Sequence, residues 1–349
     1  MKGEKIMGTK NVTFTDSQIE LAHGAGGKAS RKLIDGLLVP YLMKKSEELA
    51  DVAIVPMANN RVAFTTDSYV VSPLTFNGGS IGELAVNGTV NDLAMGGAKP
   101  LAIVSTLIIE EGLPSDVLER EVKAMGLAAE QAGVSVVGGD TKVVEHNHAD
   151  KLFITTAGIG LIDERVALSA KRVEPGDKII LSGPIGDHGI TILLARGELD
   201  LEADIKSDTR SVWPFVSKII DIAGPGIKWM RDPTRGGVAT ALNELAIDAN
   251  VTVELQDKLI KIHPAVRGSC EILGLDPLHI ANEGQFIAVV SPEYEKPILN
   301  AMKEIPGGEE VECIGEIQKG ERNIVIAHSQ YGGTRSVDML VGDPLPRIC

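Results

Sequence analysis

Residues 65–100 read TTDSYVVSPLTFNGGSIGELAVNGTVNDLAMGGAKP. The block opens inside a β-rich run, RVAFTTDSYVV at 61–71. Ser80 followed three residues later by Glu83 has the form of a capping box. A helix is therefore expected from Ser80 through about Leu93, ending at Gly96-Gly97. LAIVSTLII at 101–109 is a continuous apolar run of buried-strand length. Strand, helix and strand in succession make this an α/β chain.

The pattern extends both ways. Upstream, VAIVP at 52–56 is a second β-rich run, joined to 61–71 by an Ala58-Asn59-Asn60 hairpin turn. Further upstream, HGAGGK at 23–28 leads into a helix on the spacing of Leu33, Ile34, Leu37 and Leu38. Downstream, a helix is expected over 115–132 with Gly133 as its stop, then strands at 134–140 and 152–162. Pro-Gly within Val173–Asp177 punctuates the chain. A second α/β block follows, with strands at 178–183, 251–255, 285–290 and 311–317 and helices near 189–196, 212–223 and 237–249. The expected organisation is an N-terminal segment with its glycine loop (1–40), an N-terminal domain (41–172), a C-terminal α/β domain (173–330) and a tail (331–349).

Length and composition agree with two domains. At 349 residues and 44% hydrophobic content each half can bury a core, and 3% aromatics means cores of Val, Ile, Leu and Ala. A net charge of −14 argues against partners that need a basic face, nucleic acids and anionic membranes alike. No apolar run reaches the ~18 residues of a membrane span, and residues 1–14 lack a signal-peptide core. Three cysteines, with no C-x-x-C spacing, make no disulfide framework, so the compartment reads as cytoplasm.

Acidic residues recur beside glycine or at strand ends: Asp51, Asp67, Asp92, Asp140 and Asp232. Each alone has the form of a turn or cap residue. Five together suit a hard, oxygen-seeking cation such as Mg²⁺, and hence a phosphate ligand. HGAGGK is not a P-loop, because Ala22 stands where the first glycine of that motif belongs. It reads either as a phosphate-binding turn or as a tight entry into a helix. His146 and His148 lack further ligands at zinc spacing. His188, in GPIGDHG, reads equally as packing or as a ligand-facing group. Cys270 and Cys313 sit among apolar residues, as inert thiols do. Cys349 follows Pro344-Leu345-Pro346-Arg347-Ile348 at the very end. The residues from Ser336 onward span up to roughly 45 Å when extended, so the tail could carry a covalent cargo between two sites, or be merely where the chain stops.

HGAGGK, the 65–100 block, VVGGDTKVV (136–144), GPIGDHG (183–189), MRDPTRGG (230–237), ANEGQF (281–286) and the terminal PRIC together resemble the HypE hydrogenase maturation factors. That family lies within the ATP-binding superfamily of aminoimidazole ribonucleotide synthetase and selenophosphate synthetase. The resemblance implies a two-domain synthetase-like fold. Its N-terminal mixed sheet would have four strands and pair with a second copy into an eight-stranded barrel, making a homodimer. It implies ATP and Mg²⁺ as cofactors. Asp67, Asp92 and Asp140 would hold metal and phosphate, supported by Asp51 and Asp232. Asn91 would be a further nucleotide contact, and the loop of Gly24, Gly26 and Gly27 would close over phosphates. The implied reaction starts with a carbamoyl group placed on the Cys349 sulfur by the carbamoyltransferase HypF. ATP-dependent dehydration turns it into a thiocyanate, with Lys142 and Glu283 as candidate bases. The cyanide then passes to iron held by a HypC–HypD complex. Two other readings remain: a selenophosphate-synthetase-like phosphoryl-transfer enzyme, disfavoured by the lack of any cysteine before Cys270, and a non-catalytic thiol carrier or scaffold.

Overall fold

Helix α2 (Ile81–Met95), the centre of the quoted block, is buried on nearly every side; among its residues only Glu83 and Asp92 escape full burial. Such an all-round apolar helix must be enclosed by other elements. The computed structural model shows how, describing residues 13–24, 27–39, 51–57, 60–197, 203–320, 323–329, 332–340, 345 and 347–349.

Along the chain come α1 (Lys28–Leu33), β1 (Ala53–Met57), β2 (Asn60–Tyr69), β3 (Thr75–Phe76), β4 (Gly79–Ser80) and α2. β5 (Ala98–Glu110), α3 (Ser115–Ala132), β6 (Ser135–Val144) and β7 (Leu152–Ile162) follow. These strands form a sheet in the order β1-β2-β7-β5-β6, parallel between β5 and β6 and antiparallel elsewhere. The sheet is mixed as expected but has five strands rather than four, because β1 and β6 both pair, at opposite edges. β1 meets β2 with Met57 opposite Asn60; turn residues 58 and 59 lie outside the described residues.

α2 lies across one face of this sheet and packs on α3. Two glycines permit the approach: a Cβ on Gly82 would stand 2.2 Å from the Glu121 carbonyl, and one on Gly88 2.2 Å from the Tyr69 hydroxyl. The capping box does not form. Ser80 makes no side-chain bond to the helix. Instead the fully buried Glu121 of α3 reaches across and accepts from Gly82 N at 3.3 Å and Thr75 Oγ1 at 3.2 Å. α3 stops at Gly133, whose φ of 69° is the left-handed cap glycine provides.

The second half begins with β8 (Lys178–Leu181), α4 (Asp187–Ala195), α5 (Trp213–Ala223), β9 (Ile227–Arg231) and α6 (Gly237–Ala249). It continues through β10 (Thr252–Gln256), α7 (Pro264–Leu273), β11 (Ile287–Val290) and α8 (Glu295–Lys303) to β12 (Glu312–Gln318), β13 (Val325–His328) and β14 (Thr334–Val337). Its seven-stranded sheet runs β14-β13-β10-β12-β8-β11-β9. β14 corrects the reading of 331–349 as tail throughout: Thr334–Val337 is an edge strand antiparallel to β13. The two halves share a core in which Leu93, Ala94 and Met95 of α2 meet Val216 and Ile219 of α5 and Phe286 beside β11. No helix among the described residues is long and apolar enough to cross a membrane.

Candidate active site

Side chains alternate along β2. Ala63, Thr65 and Tyr69 turn inward beneath α2, and Asp67 shares their side. Asp92, one of the two residues of α2 that escape full burial, accepts a 2.8 Å hydrogen bond from Thr65 Oγ1. Opposite them Arg231 ends β9, and the loop from Asp232 to Arg235 leads into α6, whose Thr240 and Glu244 face back. Together with Asp51 these residues enclose a cavity of about 290 Å³.

The cavity is electrically unbalanced. Asp51 bonds Arg231 at 2.9 Å, and Glu244 approaches the same guanidinium at 3.6 Å. Among the described residues, Asp67, Asp92 and Asp232 have no such salt bridge. Burial, then Asp232, Asp51 and Asp67, push the Asp92 carboxyl well above the usual carboxylate range. Burial and Asp51 push Asp232 up to about 8, against the pull of Arg231. Glu283, in the loop before β11, is likewise driven well up by burial and by Asp67, Asp232 and Asp208, and its buried Oε1 has no hydrogen-bond partner. Uncompensated carboxylates this close await positive charge.

Residues 49–162 match the family model "AIR synthase related protein, N-terminal domain", and residues 174–328 its C-terminal counterpart. Carbamoyl dehydratase HypE of Bradyrhizobium diazoefficiens is 45% identical over 334 residues, covering 95% of this chain and 96% of the relative. The chain belongs to the HypE family. Among solved structures, a HypE–HypF complex matches with a TM-score of 0.84 at 40% identity, covering 88% of this chain and 99% of the other. HypE in complex with ATP matches with a TM-score of 0.79 at 41% identity, covering 94% and 99%.

Of the residues singled out in this HypE sequence, Asp51, Asp67, Asp92 and Asp232 line the cavity, and Glu283 lies within their electrostatic field. The others lie elsewhere. Asn91 is used up structurally: Nδ2 donates to the Arg210 and Glu283 carbonyls, and Oδ1 accepts from Val212 N. Asp140 and Lys142 sit exposed on edge strand β6 and bond each other, which holds the Asp140 carboxyl below its usual range. β6 is three strands from β2, or roughly 14 Å at sheet spacing, so neither reaches its own chain's cavity. Gly24 and Gly27 do not line it either; Gly26 lies outside the described residues. The first N–H of α1, on Lys28, goes instead to Leu340 O at 3.1 Å, and Lys28 Nζ to Asp338 at 2.7 Å. Arg231, Arg235, Thr240 and Glu244 were not picked out by the sequence reading, though the two arginines flanking Asp232 in MRDPTRGG offered a signal.

The donor set fits Mg²⁺ arriving with a nucleotide. Among the described residues no three acidic, histidine or cysteine side chains converge as a ready-made metal site. Mg²⁺ takes one or two carboxylates and completes its shell from phosphate and water. Separated, unpaired carboxylates around a polar cavity provide that share and no more.

Proposed function

We propose that this chain is an ATP-dependent carbamoyl dehydratase acting on its own C-terminal thiol. It converts a carbamoyl group on the Cys349 sulfur to a thiocyanate, the source of cyanide ligands for the iron of NiFe hydrogenase. One observation carries the reading: Val70 N donates to Cys349 O at 3.0 Å. Val70 lies three residues beyond Asp67, or roughly 10 Å along the strand. That contact keeps the thiol-bearing end docked on the same chain segment that carries Asp67, which supports the reading although Val70 and Cys349 do not themselves line the cavity.

The chemistry needs an oxygen made able to leave and a nitrogen stripped of protons. Phosphorylation of the carbamoyl oxygen by ATP turns it from hydroxide into phosphate as leaving group, with release of ADP. The C–O bond then breaks with its electron pair on phosphate, and both N–H protons depart as C≡N forms. Asp67, Asp92 and Asp232 would hold Mg²⁺, which when bound neutralises charge on the transferred phosphoryl group. Arg235, beside Asp67 and Glu283, supplies positive charge to phosphate oxygens. Asp51 and Glu244 fix Arg231 from two sides. Glu283, with its raised proton affinity and unpartnered oxygen, is the base within this chain.

Lys142 and Asp140 join the site from a second copy. The outer face of the five-stranded sheet supports such a homodimer. Phe64, Leu101, Val104 and Leu161 are each 39–49% exposed there, where a solvated sheet face would carry polar residues. HypF is the carbamoyl donor, in keeping with the solved HypE–HypF complex, and a HypC–HypD complex takes the cyanide.

Intact-mass spectra after incubation with HypF, carbamoyl phosphate, Mg²⁺ and ATP test the reading. A carbamoyl adduct should appear on the C-terminal peptide and then lose one water, ADP rising in step. Glu283→Gln should accumulate the adduct, and Cys349→Ala should form none. An adduct that wild-type protein never dehydrates would leave only a thiol carrier; an adduct on another residue would remove Cys349.

A further inference from the structure

The last residues of the chain are not loose. The main-chain oxygens of Arg347, Ile348 and Cys349 each meet a donor. Arg196, just past the end of α4, donates from Nη2 to Arg347 O at 2.9 Å while its Nε holds Ser72 O at 3.1 Å. His188, in the first turn of α4, bonds Ile348 O through Nε2 at 2.8 Å. Val70 N takes Cys349 O at 3.0 Å. The Arg347 side chain returns the clasp, Nε to Val70 O at 3.0 Å and Nη1 to Asp150 at 2.8 Å. Ile348 is 2% exposed, in the same core cluster as Ile190 and Ile280. Arg347 has a φ of 55°, a conformation an arginine seldom adopts, which these contacts hold in place.

His188 is the informative member. It is fully buried. A carbonyl oxygen only accepts, so Nε2 carries the ring proton and Nδ1 accepts from the Ser207 hydroxyl at 2.8 Å. The Ser207 oxygen is itself fixed by Thr209 N at 3.1 Å, and the ring edge rests on Phe76. Burial lowers the affinity of the ring for a second proton, which keeps it neutral. A buried ring with one tautomer, aimed at a main-chain oxygen beside the terminal cysteine, is a built receptor for that oxygen. Asp208, next along from Ser207, accepts from Glu283 N at 3.0 Å, so one loop ties the receptor to the candidate base.

We propose that His188 is a positioning residue for the dehydration. It registers the Arg347-Ile348-Cys349 end in a dedicated groove and so sets how far the thiol reaches toward Glu283, with Arg196, Val70 and Asp150 completing the clasp and the Ile348 pocket selecting a branched apolar side chain before the cysteine. The role rests on Cys349 being the reacting thiol.

Alkylation of Cys349 by iodoacetamide in the full-length protein, followed by peptide mass, reads docking independently of catalysis. His188→Ala should raise the alkylation rate at least tenfold, with ATP affinity retained. Its carbamoylated form should lose water at least tenfold more slowly than wild type. His188→Gln, which keeps a donor, should recover part of both. Because His188 is buried, Asp150→Ala supplies a surface variant that removes one of the two anchors of the Arg347 side chain and should raise alkylation in the same direction. Alkylation within twofold of wild type in both His188→Ala and Asp150→Ala overturns the clasp. Faster alkylation with wild-type dehydration leaves docking but refutes positioning. Absence of any carbamoyl adduct in wild type refutes the proposed function and leaves the alkylation result standing.

Discussion

At the scale of single residues, Asp92 shows what the cavity costs and what it is for. Its carboxyl stands beside three others, and among the described residues only Thr65 hydrogen-bonds it. Removing that charge should relieve repulsion, so Asp92→Asn should raise the Tm of the ligand-free protein. The same change removes a carboxylate facing the phosphates, and Mg–ATP affinity should fall at least tenfold, about 1.4 kcal/mol. Calorimetry and thermal melts on one sample separate the two effects; unchanged affinity would take Asp92 out of the site. Stability and function trade against each other at such a cluster. The sequence shows acidic residues at strand ends and glycine turns, but not which of them converge. Asp67 and Asp140 look alike there, each followed by a hydroxyl-bearing residue. Only the strand order separates a central position on β2 from the exposed edge of β6. The pairing of Arg231 with Asp51 is invisible because it closes across elements far apart in the chain, with Glu244 approaching the same guanidinium.

At the scale of elements, local signals sufficed wherever a local force decides. α3 was legible at both ends, because its stop needs only Gly133. α6 was legible over Gly237–Ala249 from the spacing of its apolar residues. The start of α2 at Ser80 was legible, but its capping bond was not, because the acceptor for Gly82 N is Glu121, 39 positions away. β13 and β14 are short and carry little pattern, so pairing rather than propensity makes them strands. The Glu121 cap makes a sharp prediction. Glu121→Ala leaves the buried Gly82 N without its acceptor and the exposed Thr75 hydroxyl without its partner, the former at a cost of about 1–3 kcal/mol. The midpoint of urea unfolding should drop with little change in slope. An unchanged midpoint would mean that α2 is held by packing alone.

At the scale of the whole molecule, the five-stranded sheet has two apolar faces and, among the described residues, a cover on one. α2 and α3 lie on the inner face, while Phe64, Leu101 and Leu161 stand on the outer one. Single exposed apolar residues need no explanation, but a contiguous set across β2, β7 and β5 does. A twofold partner would present the same face to itself, so each contact occurs twice. It would also bring β6 of one copy, with Asp140 and Lys142, near the cavity of the other, which the roughly 14 Å separation within one chain forbids. Phe64→Glu tests both consequences, because the residue is 49% exposed and its replacement should spare the fold of the single chain. In the dimer the introduced carboxylates would be buried, each costing several kcal/mol. Sedimentation equilibrium at micromolar concentration should give a dimer for wild type and a monomer for Phe64→Glu. Thiocyanate formation should fall at least tenfold in the monomer, and carbamoylation of Cys349 should persist, because the tail is docked within its own chain. A monomeric wild type would remove the second copy from the site. A monomeric variant with full dehydration would keep the dimer but discard Lys142 and Asp140 as contributors, leaving Glu283 as the sole base.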